Sequence, residues 1–311
     1  MQTRRKFLQA TAGVAVGGFA FAAPGDEGRR AGLAIGTYGL SSMNLEEAIR
    51  LIAQTKYDAL EITAIPGTSG APSDLTSEDR KRLQALLAET ELRLCGIMAD
   101  LPPKRSEADH KAQLTEIHQL IQLGHDLSPG HPPIIQTVLG GKNWSESREF
   151  FRDRISDWVQ VAEEVRGVLS IKPHRLHAMS LPEEANWIIA QLGAPDQLGM
   201  TFDYSHYAFR EPSLTIEAAV RESLPHLNYV AVKDAVKTGD QVSFALPGEG
   251  KAWDQAEVIS ALCGGGYRGD FCCEVSSQIW RNNPAYDPVS ATKSCYANLK
   301  AAFARAEGLR R

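Results

Sequence analysis

From about residue 32 onward, short apolar runs rich in Val, Ile and Leu alternate with longer stretches whose apolar positions recur every three or four residues. The first kind reads as buried strand and the second as amphipathic helix. LAIGTYGL (33–40) precedes NLEEAIRLIAQTK (44–56), ALEITA (59–64) precedes SEDRKRLQALLAETE (77–91), and LRLCGIMA (92–99) precedes HKAQLTEIHQLIQL (110–123). PIIQTVLGG (133–141), VLSIKPHR (168–175) and LGMTFDYSH (198–206) each lead into a further helical stretch. So do LNYVAVKDA (227–235), after a longer loop, and DFCCEVSS (270–277). Asn44 with Glu47, and Ser180 with Glu183 around Pro182, have the spacing of capping boxes at helix starts. Strict alternation implies parallel strands. Eight units at this length imply an α/β chain closed into a (β/α)8 TIM barrel, one domain over residues 32–311. An open doubly wound sheet is the alternative, but it usually carries a glycine-rich fingerprint after its first strand. LAIGTYGLSSMN has no GxGxxG.

A barrel of this kind keeps its chemistry at the C-terminal ends of its strands. Glu61 ends the second predicted strand, Asp100 follows the third, and Gln136 sits in the fourth. Lys172 and His174 end the fifth, Asp203 and His206 the sixth, Lys233 and Asp234 the seventh, and Glu274 the eighth. Asp100 and Asp234 read as loop caps, and Lys142 and Arg210 as solvated loop charges. Asp203 and Glu274 are different, because each interrupts an otherwise apolar strand. A buried charge without a partner costs several kcal/mol, so each of them must face a cation.

The N-terminus is set aside from fold reasoning. TRRKFLQA, the apolar run ATAGVAVGGFAFAA and the Ala20-Phe21-Ala22 pattern resemble a twin-arginine export signal over residues 1–22, followed by a linker over 23–31. That predicts a periplasmic or otherwise exported protein with no stable membrane association once the signal is cleaved. Without Arg4, Arg5 and Lys6 the chain has 30 basic against 38 acidic residues, a balance that argues against a polyanionic partner such as nucleic acid. It suits a small neutral ligand. Five scattered cysteines form no disulfide framework and read as buried thiols.

FDYSH with its DxxH spacing, VKD of the seventh strand, PGEG at 247–250 and GGYRGDFCCEVS together resemble the xylose-isomerase-like barrels. These include sugar phosphate isomerases and epimerases and the family-two AP endonucleases. The resemblance covers the whole chain after residue 31 and implies a small-molecule carbohydrate substrate. In such proteins Glu of the fifth strand, Asp of the sixth, His of the seventh and Glu of the eighth hold a divalent metal. The metal polarises a carbonyl while the glutamates move a proton through an enediolate. Asp203 and Glu274 match two of these ligands, His206 the substrate-contacting histidine, and His174 the histidine two places past the fifth-strand glutamate. The other two positions hold Lys172 and Ala231 instead.

A protonated lysine has no lone pair for a metal. Three carboxylates, a neutral histidine and a dication sum formally to about −1, and two carboxylates with one ammonium give the same charge without a metal. Lys172 is therefore expected between Asp203 and Glu274 in the cation's place, with Ala231 leaving room and Lys233 adding a second ammonium on the same face. The resulting expectation is an exported sugar isomerase or epimerase without a cofactor. Its catalytic residues would be Glu274, Lys172 and His206, and His174, Glu61, Lys233 and Gln136 would contact substrate. Two alternatives stand beside it. One is a carbohydrate-binding barrel that has lost catalysis. The other keeps a divalent Mn, Zn, Co or Mg through Asp203, Glu274 and the two histidines. Neither the substrate nor the oligomeric state is legible.

Overall fold

The computed structural model describes residues 31–210, 212–239 and 241–309. The expected signal segment and nearly all of its linker lie outside these residues. Seven strands arise in chain order: Leu33–Gly36 (β1), Ala59–Thr63 (β2), Arg93–Met98 (β3), Ile134–Thr137 (β4), Val168–Ile171 (β5), Leu198–Phe202 (β6) and Leu227–Val232 (β7). A hairpin follows, Asp234–Thr238 (β8) and Gln241–Ala245 (β9), and then the last barrel strand, Phe271–Cys273 (β10). β10 pairs in parallel with β7 on one side and β1 on the other, which closes an eight-stranded parallel barrel. The predicted TIM barrel is the observed fold.

Helices Leu45–Thr55 (α1), Ser77–Thr90 (α2), Glu107–Leu127 (α3), Trp144–Glu164 (α4), Pro182–Gln191 (α5), Ile216–Ser223 (α6) and Gln255–Gly264 (α7) cover the strands, with a short Ser277–Trp280 (α8) and a long Pro288–Leu309 (α9). Their local signals work as the sequence suggests. Asn44 caps α1, accepting from the Glu47 N–H while Glu47 accepts from the Asn44 N–H. At α5 the partner differs from expectation. Ser180 and Leu181 donate their N–H groups to Glu184, not Glu183, because the chain enters the helix at Pro182 with Leu181 as its cap. Ile49 and Ile52 of α1, Ile155 and Trp158 of α4 and Ile188 of α5 are buried against the sheet. Each such side chain contributes about 1.5–3 kcal/mol by leaving water.

Two features of the fold position the site. The barrel floor is filled by Ala34, Ala59, Cys272 and Tyr229, which leaves the polar residues at the opposite, C-terminal rim. The segment after β7, expected as a loop, is the β8–β9 hairpin. Asp234 anchors it: its carboxylate accepts from the N–H groups of Ala235 at 2.8 Å and Gly248 at 3.0 Å, tying the hairpin to the PGEG loop. Among the described residues no helix is long and apolar enough to cross a membrane.

Candidate active site

Four adjacent strands deliver one charged residue each. Lys172 directly follows β5, Asp203 follows β6, Lys233 follows β7 and Glu274 follows β10. The strand ends therefore carry the four side chains into one closed ring. Lys172 Nζ lies 2.5 Å from Glu274 Oε2 and 3.4 Å from Asp203 Oδ2. Lys233 Nζ lies 2.7 Å from Glu274 Oε1 and 3.2 Å from Asp203 Oδ2. None of the four is more than 7% exposed. Lys172 is where the sequence reading put it, and Lys233, expected at the substrate, also closes the ring. The four charges sum to zero.

Burial penalises the charges on Lys172, Glu274 and Asp203, and their partners outweigh it. Burial alone would lower the Lys172 pKa, but Glu274 and Asp203 raise it above the ordinary lysine value. Burial alone would raise Glu274, yet Lys172 and Lys233 bring it down to about 2. Asp203 is likewise lowered: burial is overcome by Lys233 and Lys172, helped by the Ser205 hydroxyl, which donates to Oδ1 at 2.5 Å. Lys172, Glu274 and Asp203 stay charged at neutral pH.

Three imidazoles line one side. His206, the end of a single 3-10 turn Tyr204–His206, has its Nε2 3.4 Å from Asp203 Oδ2. His174 stacks on it at 3.9 Å between ring centres, and His177, a loop residue with no role expected, stacks on His174 at 4.2 Å. Burial, then Lys233, His174 and Lys172, hold His206 well below the usual histidine value. Burial, then His177 and the two lysines, bring His174 down to about 3. Both rings are neutral. Neither ring nitrogen of His206 makes a hydrogen bond with the protein, although the residue is fully buried.

Glu61 and Gln136 form a second group. Glu61 Oε2 accepts from Gln136 Nε2 at 3.1 Å and from the Tyr229 hydroxyl at 2.8 Å. Sequence reasoning missed Tyr229, although strand alternation puts it on the face of Ala231 and Lys233. It also missed Phe244 of β9, which covers the ring of charges. The Lys233 ammonium lies 5.1 Å from its ring centre, and the His206 ring stands edge-on to it at 5.9 Å. Asp234 serves as the cap it was expected to be. Arg210, expected in solvent, donates to the Ser180 hydroxyl instead.

The profile of the xylose isomerase-like TIM barrel matches residues 49–295. The chain belongs to that family. Solved structures of the same fold include D-psicose 3-epimerase with D-tagatose from Clostridium cellulolyticum H10, at 16% identity, with a TM-score of 0.72 over 88% of this chain and 99% of the epimerase. L-ribulose 3-epimerase superposes at 18% identity with a TM-score of 0.68, covering 90% and 98% of the two chains. The barrel also spans 43% of a fusion of a xylose isomerase-like TIM barrel with a 4-hydroxyphenylpyruvate dioxygenase, at 14% identity and a TM-score of 0.70. No curated protein matches it in sequence.

The side chains of this barrel do not fit the divalent metal that the resemblance implies. Two ammonium groups sit against the two acids that match its ligands, and an ammonium repels a dication and offers it no lone pair. Among the described residues, no group of three or more His, Cys, Asp or Glu side chains is arranged to hold a metal ion.

Proposed function

We propose that this barrel is an exported sugar isomerase- or epimerase-like enzyme that moves a proton on the carbon next to a carbonyl, with Lys172 serving in part of the metal's role. The observation that carries the reading is the Lys172 ammonium held against Glu274 and Asp203 at the rim where this family's chemistry belongs. Epimerases among the solved structures of the same fold support a carbohydrate or keto-sugar substrate. The acidic balance of the chain supports it against nucleic acid.

The chemistry follows from the ring. Removing a proton next to a carbonyl puts negative charge on the carbonyl oxygen, and a fixed ammonium in a water-poor site stabilises that oxygen. Lys172 and Lys233 each have three N–H donors; each lies against one Glu274 oxygen and within ion-pair range of Asp203 Oδ2, which takes no well-aligned hydrogen bond. One donor from each is left for a substrate oxygen. His206, neutral and hydrogen-bonded to the protein at neither nitrogen, is suited to a sugar hydroxyl. Glu274 acts as a base only once its carboxylate is released from a lysine, since a group near 2 is a weak base.

A second reading, a binding barrel without catalysis, has one observation in its favour: the ring is buried, self-neutralised and covered by Phe244. Keto-sugars incubated with the protein in D2O separate the two. The enzyme reading expects solvent deuterium at the carbon next to the carbonyl, and a loss of about 10²–10³-fold in Lys172→Met. Binding without exchange for every sugar supports the second reading.

A further inference from the structure

The ring of charges leaves one buried acid without a task. Glu61 projects from β2 into the barrel at 1% exposure, and among the described residues it forms no salt bridge. The sheet is cut away around it. Its register partners on both neighbouring strands are glycines, Gly36 on β1 and Gly96 on β3. A Cβ on Gly36 would lie 2.8 Å from Glu61 Oε1, and one on Gly96 would lie 2.7 Å from the Tyr229 hydroxyl. A side chain at either position would displace the carboxyl or the phenol that holds it. Gly36 is the last residue of β1, so Oε1 stands at the reactive rim.

The two oxygens of Glu61 are unlike. Oε2 takes the hydrogen bonds of Tyr229 and Gln136, whereas Oε1 accepts none among the described residues. Glu274 is the opposite case, with each oxygen against an ammonium. Proton transfer through an enediolate calls for two carboxyls, and the fifth strand supplies Lys172 where relatives have glutamate. We propose that Glu61 is the second proton-transfer carboxyl of this site, in place of the one the fifth strand lacks, with Tyr229 and Gln136 as its positioning residues. This rests on the isomerase reading above.

In the step, Glu61 Oε1 takes the proton from the carbon next to the carbonyl. The C–H electron pair becomes the carbon–carbon double bond, and the carbonyl pair moves to oxygen, where the Lys172 ammonium meets it. Return of the proton from Glu61 restores a carbonyl, so no redox partner is needed. Charge agrees: with Glu61 ionised, three carboxylates and two ammoniums sum to −1, the formal charge of the relatives' site. Groups facing Glu61 are Glu274, Lys172, Tyr229 and the thiols of Cys95 and Cys272 beside the phenol. Burial, then Glu274, raise its pKa to about 7 against Tyr229, Lys172 and Gln136, which favours exchange in either direction at neutral pH.

The test follows deuterium exchange into ketohexoses and ketopentoses, D-tagatose and D-fructose among them, from about pH 5 to about pH 9. Wild-type exchange should rise through about pH 7. Glu61→Gln should slow it by about 10²-fold or more. Tyr229→Phe should keep exchange but move its midpoint to higher pH, because the phenol's hydrogen bond lowers the Glu61 pKa. If Glu61→Gln does not fold, the Tyr229→Phe midpoint decides. Exchange in Glu61→Gln within about threefold of wild type, or an unmoved Tyr229→Phe midpoint, overturns the proposal and leaves the isomerase reading standing. No exchange in the wild type with any sugar overturns that reading, and this one with it.

Discussion

Both ends of the barrel carry buried charge, and they carry it differently. At the N-terminal end Arg93 of β3 grips Asp270, just before β10, with two parallel hydrogen bonds of 2.6 and 2.7 Å. The arginine is 39% exposed, so water reaches one side of the pair. At the C-terminal end two lysines face two acids with almost no exposure. Asp203 Oδ2 sits within ion-pair range of both lysines yet makes no hydrogen bond of good geometry, and both nitrogens of His206 go unpaired. A bidentate arginine is a finished structural contact. Flexible ammoniums beside unpaired buried acceptors form a contact with donors and acceptors to spare. The first arrangement closes a fold, and the second suits a ligand.

The largest effect should come from breaking the dry end. Lys172→Met leaves two buried carboxylates sharing Lys233, and should cost about 3–5 kcal/mol in urea unfolding. Arg93→Ala at the wet end should cost about 1–2 kcal/mol, because water reaches the site and can solvate Asp270. Equal losses would erase the distinction between the two ends.

Stability against pH sharpens it next. The Glu274 pKa is depressed, so its contribution is fully present above about 4.5 and is lost as pH falls towards about 2. Glu61 runs the other way. Its raised pKa means the folded state binds the extra proton, so stability should decline as pH rises from about 4.5 to about 7. The decline is of the order of 3 kcal/mol. Glu61→Gln should flatten that limb and leave the acid limb in place, as measured by melting temperature across the range. A decline that survives in Glu61→Gln would assign it to another group.

The sequence shows the ring because its members are polar residues placed directly after apolar runs: Lys172 after VLSI and Glu274 after FCC. It shows the barrel because α/β alternation leaves a long periodic trace. It hides the hairpin, whose strands are half in water and carry no continuous apolar run. Phe244 is hidden with it. Tyr229 is hidden for another reason: a tyrosine in a strand is ordinary packing by propensity, and only its distance to Glu61 shows a hydrogen-bond donor. At α5, Ser180 with Glu183 and Leu181 with Glu184 have the same three-residue spacing, and the chain's entry at Pro182 selects the second pair.

If ammonium groups hold the place of a dication, wild type and Lys172→Glu/Ala231→His should respond oppositely to a metal. Titration of Mn²⁺ into each after chelator treatment, with the melting temperature followed, separates them. The account predicts no stabilisation of the wild type and a rise in the double variant, about 2.7 kcal/mol at a hundredfold excess of metal over its dissociation constant. Tight, stoichiometric binding by the wild type, or none by the double variant, would contradict it.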